Sequence, residues 1–208
     1  MSEKTSFVER VRKTLIKCSK AYKKNFVDFE YLICSKAFEK KKYYIINAKE
    51  DNFQHLTGVH ANVSPLDFFN KCYDGTLCET DFDFLKRGQS EKSVKGSVRE
   101  KIKVLESAME LFSNNQIFVQ EEFCKNKIIC SFATSAKNFT LGFIDNVYSS
   151  PKSLLKNNQL KGDCCVVDLV VRKNKNEQKF SEVILGDKEK LNEYCEDIKH
   201  LLVDELIK

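Results

Sequence analysis

Apolar positions recur at three- and four-residue steps through residues 4–25. Phe7, Val8, Val11, Leu15, Cys18 and Tyr22 make one stripe, which predicts an amphipathic helix. Arg12, Lys13, Lys17, Lys20, Lys23 and Lys24 occupy the other face, read as solvated rather than as an RNA track. The pattern then changes to alternation. Residues 29–38 and 42–48 read as two strands of a hairpin around the polar Glu39-Lys40-Lys41. Asp51 or Asn52 can cap a short helix over residues 53–58. Ser64-Pro65-Leu66-Asp67 opens a second helix: a Ser cap, Pro in the first position and an acid in the first turn, running through Phe68, Phe69 and Cys72 to Gly75. Residues 80–84 read as a turn or short helix. Gly88, Ser90, Ser93, Gly96 and Ser97 make residues 86–97 the most loop-like stretch, and a basic one. A helix through 98–105 is expected to break and resume to Phe112, before the Asn114-Asn115 turn.

The remainder alternates at period two. Residues 116–123, 127–135 and 138–145 predict an antiparallel meander, and residues 149–156 a connecting loop. The nearly continuous apolar run in 164–173 predicts a central strand buried on both faces. Residues 180–185 form the last strand, and 188–207 a closing amphipathic helix with Leu191, Cys195, Ile198, Leu201, Leu202 and Leu206 inward. The elements form one domain: an N-terminal helix (1–28), an α+β core (29–186) and an acidic amphipathic helix (187–208).

Composition changes this picture in three ways. The 208 residues are 42% apolar, enough for one good core, and Gly 7 with Pro 2 argues against a disordered chain. No apolar run approaches the roughly 20 residues of a membrane span, and the N-terminus has no secretion-signal core; a cytoplasmic protein with no membrane contact is expected. The nine Cys are odd in number and include no Cys-x-x-Cys pair, so reduced, mostly buried thiols are expected rather than a zinc site or disulfides. Net charge is +5, but residues 181–208 hold eight acids against four bases, leaving +9 on the rest. A basic body suits a polyanion such as RNA.

Three constellations could carry chemistry. The first is Phe53-Gln54-His55-Leu56-Thr57-Gly58-Val59, an imidazole between two apolar anchors, placed straight after a strand where a sheet-edge catalytic His would be needed. The competing reading is a hydrogen-bonded core histidine. His60 reads as solvated and His200 as a helix C-terminal cation. The second puts Ser131 and Thr140 near one sheet face, with Gly142 leaving room for a ligand; ordinary strand hydroxyls fit equally. The third is a loop in which Lys152, Ser153 and Lys156 around Pro151 could clamp a phosphate, or simply cap a turn. Arg172 at a strand end could contact phosphate bidentately or cover an edge. A His, hydroxyls and cations without a carboxylate cluster suit metal-free RNA cleavage. No phosphate loop of the Gly-x-x-x-x-Gly-Lys-Ser/Thr type is present, and no cofactor or metal is expected.

An ordered set of segments carries a resemblance: Phe53-x-His55-Leu56-Thr57-Gly58; Asp67-Phe68-Phe69-x-Lys71-Cys72 with Gly75-Thr76-Leu77; Lys101-Ile102-Lys103-Val104-Leu105; Cys130-Ser131-Phe132-Ala133-Thr134-Ser135 with Thr140-Leu141-Gly142-Phe143; Pro151-Lys152-Ser153-Leu154-Leu155; and Val167-Asp168-Leu169-Val170-Val171-Arg172. Over residues 29–186 the chain resembles the phage and mobile-element branch of the barnase–EndoU–colicin–RelE-like nucleases, in its fourth phage subfamily. The resemblance implies an α+β fold: helices packed on an antiparallel, strongly twisted sheet of about four or more strands, with the active site on the open sheet face. It implies a metal-independent ribonuclease, a hydrolase-type toxin or host-takeover factor that cleaves RNA by 2′-OH attack. His55 would be the acid/base residue, with Thr57, Ser131 and Lys152 beside it in the catalytic set. Thr134, Thr140, Ser153, Lys156 and Arg172 would contact substrate. RNA is the expected partner, with an antitoxin or other protein partner as a further one. The rival expectation is an inactive RNA- or protein-binding member of the same fold that serves in anti-defence or regulation. A nucleotide-using transferase is a third, for which no residue pattern speaks.

Overall fold

Ser6 opens the first helix, α1 (Phe7–Tyr22), by accepting the Glu9 N–H on its Oγ at 3.0 Å, one of the helix's unpaired amides. In the computed structural model, which describes residues 5–162 and 164–207, the elements follow in this order. After a wider turn come β1 (Phe29–Cys34) and β2 (Tyr43–Asn47). Next are α2 (Phe53–Thr57), β3 (His60–Ala61), α3 (Pro65–Asp74), β4 (Phe82–Asp83) and α4 (Glu91–Met109). The second half holds β5 (Phe118–Glu121), β6 (Cys124–Lys125), β7 (Ile128–Ile129), β8 (Phe132–Ala136), β9 (Phe139–Asp145), β10 (Ser149–Lys156), β11 (Cys165–Val166), β12 (Leu169–Asn174) and β13 (Glu182–Leu185). The helices α5 (Lys188–Ile198) and α6 (Asp204–Ile207) close the described chain.

Nine strands join in the order β11-β5-β8-β9-β10-β2-β1-β12-β13. Every pairing is antiparallel except β10 with β2, which is parallel and meets at Ser149 and Ile46. This is an α+β architecture with a mostly antiparallel sheet and helices at both ends of the chain, as expected. Alternation assigns the two faces. Tyr31, Ile33, Phe132, Leu141, Phe143 and Leu154 point into the core formed with α1 to α4. Leu32, Cys34, Leu169 and Val171 point the other way, onto α5 and the segment after it. A third, smaller cluster around Phe123, Cys130 and Ala133 lies beside the β6–β7 hairpin.

Several sequence expectations are corrected. α4 runs unbroken from Glu91 to Met109, taking in most of the supposed loop. Ser90 caps it through the Ser93 N–H at 3.3 Å, and Val94, Val98 and Leu105 are buried along one side. Residues 149–156 form a strand, β10, in spite of Pro151; a register slip between Pro151 and Ser153 accommodates the bend. The apolar run of 164–173 is divided: Cys165 and Val166 are exposed in the edge strand β11, while Leu169, Val170 and Val171 are buried in β12. The closing helix breaks after Ile198 and resumes at Asp204. Of the nine thiols, Cys18, Cys34, Cys72 and Cys130 are buried and the rest are half-buried or exposed. The helix start at Ser64 is as read: its Oγ accepts the Asp67 N–H at 3.1 Å, and Gly75 ends α3 in the left-handed region. No helix among the described residues is long and apolar enough to cross a membrane.

Candidate functional site

The placement of α2 starts from aromatic packing. Tyr22 donates its hydroxyl to the Lys49 carbonyl at 2.9 Å, fixing the chain as it leaves β2. Phe53 then packs on Tyr22 and Phe69, with ring centroids 5.3 and 5.8 Å apart. Phe53, Leu56 and Thr57 are fully buried on the inner side of the short helix. Helical spacing therefore turns Gln54, His55 and Gly58 outward, and His55 is exposed. Thr57 is sealed inside, where its hydroxyl donates to the Gln54 carbonyl at 2.7 Å, so it does not stand beside the imidazole as expected. Asn52 does not cap α2 either; its Oδ1 accepts the Lys49 N–H at 2.9 Å.

Gly58 ends α2 at φ 80°. A Cβ there would lie 2.8 Å from Lys101 Cδ, so the glycine both makes the turn and admits the α4 lysine. Lys101 Nζ donates to the His55 carbonyl at 3.1 Å. Burial, with Lys86 nearby, lowers the Lys101 pKa to about 8. After the turn, β3 pairs with β4 so that His60 lies directly across from Asp83. His60 Nδ1 is 3.3 Å from Asp83 Oδ1, and that carboxylate also accepts the Leu85 N–H at 2.8 Å. The following tight turn, with Gly88 at φ 74°, carries Lys86, Arg87 and Gln89.

These groups line one hollow of about 700 Å³: His55 and His60 with Lys86, Arg87 and Lys101, between Gln54 and Gln89. Two imidazoles can give and take protons, and three cations can hold a phosphate. The sequence reads His60 as solvated in a polar turn and gives no sign of Asp83, distant along the chain but directly across from it. Nor does a lysine on a helix show in the sequence that it is half-buried, as Lys101 is. The hollow lies in the helical layer. It is not on the open sheet face, and β2, the strand before His55, lies inside the sheet rather than at its edge.

The other expected site residues lie elsewhere. Ser131 and Lys152 line a second hollow of about 760 Å³ with Lys40, Lys41, Tyr44 and Asp145. There Ser131 Oγ accepts the Asp145 N–H at 2.9 Å, Lys41 pairs with Asp145 and Tyr44 with Glu121. Thr134 is buried. Thr140 is also buried, donating to the Asn157 carbonyl at 2.9 Å. Ser131 and Thr140 share a sheet face, but from opposite ends of the β8–β9 pair. Ser153 is buried in β10, while Lys156 pairs with Glu100 at 2.6 Å. Arg172 is held by Glu182 at 2.7 and 2.9 Å and lies 4.4 Å from the centroid of the Phe29 ring. His200 is exposed in the turn after α5. Among the described residues, no three His, Cys, Asp or Glu side chains converge as a metal centre requires.

No curated protein and no solved structure matches the chain. The model of one family, phage-Barnase-EndoU-ColicinE5/D-RelE like nuclease4, matches residues 14–202, and the chain belongs to that family.

Proposed function

We propose that this member of a phage-associated nuclease family is a ribonuclease whose active site is the hollow of His55, His60 and Lys101. The observation that carries the reading is the meeting of two exposed imidazoles with three cations in one hollow. His60, steadied from behind by Asp83, is the base: with Nδ1 toward the carboxylate, Nε2 is left to take the ribose 2′-OH proton. The freed 2′-oxygen attacks the adjacent phosphorus. Lys101, Lys86 and Arg87 stabilise the negative charge gathering on the phosphoryl oxygens. His55 gives its proton to the departing 5′-oxygen. The products are a 2′,3′-cyclic phosphate and a free 5′-hydroxyl, and the two imidazoles have exchanged protonation states. The cations take the part that a metal ion plays in two-metal hydrolysis, so chelator is expected to leave cleavage intact.

The test is incubation of total RNA with the protein in the presence of chelator. His55→Ala and His60→Ala are each expected to slow cleavage by about 10²–10⁴-fold, the usual contribution of an acid/base group. Cleavage that survives both substitutions, or that chelator abolishes and added metal restores, would defeat the proposal. Tight RNA binding with no cleavage by the unaltered chain would favour a binding role.

A further inference from the structure

The chain has five arginines. Arg12 and Arg172 each grip a glutamate through two nitrogens. Among the described residues, Arg10, Arg87 and Arg99 meet no carboxylate, and those three line two hollows on the helical layer. Arg87 belongs to the His55–His60 hollow. Arg10 and Arg99 belong to another, of about 530 Å³, between α1 and α4, together with Phe7, Lys13, Ile102 and Lys103. Among the described residues, no acidic side chain lines this second hollow. Lys13 and Lys103 are already paired along their own helices, with Glu9 at 3.4 Å and Glu100 at 3.0 Å, and Lys17 pairs with Glu106. Arg10 and Arg99, where α1 meets α4, are thus left without a carboxylate among the described residues.

The floor of the hollow is apolar and partly aromatic. The Arg99 guanidinium lies 5.0 Å from the centroid of the Phe7 ring, leaving a flat cation beside a half-buried aromatic. Phe7 in turn packs against Phe84, centroids 5.3 Å apart, and Lys95 Nζ sits 5.3 Å over the Phe84 ring. The next residue, Leu85, is 62% exposed and lines the His55–His60 hollow. Phe7 and the buried Phe84, with Lys95 over its ring, therefore connect the linings of the two hollows by contact. Cations spaced along an apolar, aromatic track are what a single strand of nucleic acid requires: charges for its phosphates and flat surfaces for its unstacked bases.

We infer that the Arg10–Arg99 hollow is a second substrate subsite, binding the single-stranded RNA that flanks the scissile phosphate. It takes phosphates on Arg10 and Arg99 and a base against Phe7, with Lys13 and Lys103, each shared with a glutamate, at its edge. This rests on the proposed ribonuclease reading for its substrate, and its test is built to stand apart from cleavage.

A fluorescent 12-nucleotide 2′-O-methyl RNA cannot undergo 2′-OH attack, so its binding is read without cleavage, and the arginine substitution isolates the share of the subsite. The Arg10→Gln/Arg99→Gln protein is expected to bind it at least tenfold more weakly. Its log–log salt slope should be shallower by about 1.4, two phosphate contacts at roughly 0.7 each for a single strand. Cleavage of a dinucleotide, too short to reach the subsite, should stay within twofold of the unaltered chain. Lys20→Gln/Lys24→Gln, which removes equal charge from the far end of α1 and the turn after it, should leave binding and slope unchanged. All four positions are exposed, so the folds should melt alike. The inference is overturned by unchanged binding in the arginine variant, by an equal loss in the lysine control, or by equally tight binding of a duplex. If no RNA is cleaved by any form yet the arginine variant alone loses binding, the subsite stands and the catalytic reading falls.

Discussion

Lys101 shows most clearly how a single side chain couples folding to the proposed chemistry. Free lysine holds its proton to about 10.5, whereas burial against α2, with Lys86 close by, brings Lys101 to about 8. In the unfolded chain the proton is kept up to the ordinary value. Charging Lys101 therefore costs the folded state stability below about pH 8, and that cost is relieved as pH rises from about 8 toward 10.5. Phosphate binding runs the opposite way: the cation facing the phosphate is lost as pH rises through about 8. Affinity for the uncleavable 2′-O-methyl RNA is expected to weaken as pH rises through about 8, and Lys101→Arg, which stays charged, should carry that weakening more than one unit higher. Binding titrations of both proteins across pH 7–10 check this; coincident curves would remove Lys101 from phosphate binding. The sequence could place His55 on a short helix because Phe53 and Leu56 are its neighbours and must be buried. It could not show His60 meeting Asp83 or Lys101 meeting Gly58, because those encounters depend on strand register and helix packing between distant segments.

Elements were legible where their own residues settle the matter. Ser64-Pro65 and Gly75 bound α3 by local hydrogen bonding alone, and the alternation of β1 and β2 follows from a sheet with a core on each face. The start of α4 is hidden in the sequence because Ser90, Ser93, Gly96 and Ser97 have loop-like composition. What makes it helical is tertiary: Val94 and Val98 are buried against the rest of the core, which outweighs weak local propensity. Pro151 misled for the complementary reason. β10 pairs with β2 only at Ser149, so a missing N–H at 151 removes no ladder bond on that side. A consequence follows for Gly96. It sits inside α4 with no heavy atom within 4 Å of where a Cβ would be. Gly96→Ala should therefore stabilise the protein, by about 0.5–1 kcal/mol, through reduced freedom of the unfolded chain and better helix propensity. Urea melts measure this, and a loss of stability would mean that the glycine answers to something beyond helix propensity.

On the scale of the whole molecule, charge is divided by the sheet. The cationic hollows are built from α1, α2, α4 and the β4–α4 turn, on the face covered by the main core. The acidic C-terminal segment packs on the opposite face. It is thus poorly placed to shield the cations, and its acids in part tie it down: Glu193 pairs with Lys36 at 2.9 Å, while Tyr194 donates to Asp168 at 2.7 Å. Its inner side buries Leu191, Tyr194, Ile198 and Leu202 against Leu32, Cys34, Leu169, Val171 and Phe180. Four such side chains, at roughly 1.5–3 kcal/mol each, are comparable to the about 5–15 kcal/mol that holds an ordinary domain folded. Removing residues 188–208 would also bare the apolar partners of β1 and β12 to solvent. The truncated chain is expected to aggregate or lose its cooperative melt, measured by calorimetry and light scattering. A soluble truncation that melts cooperatively and binds RNA more tightly would instead make the acidic segment a detachable shield, and would require its charge to reach across the sheet.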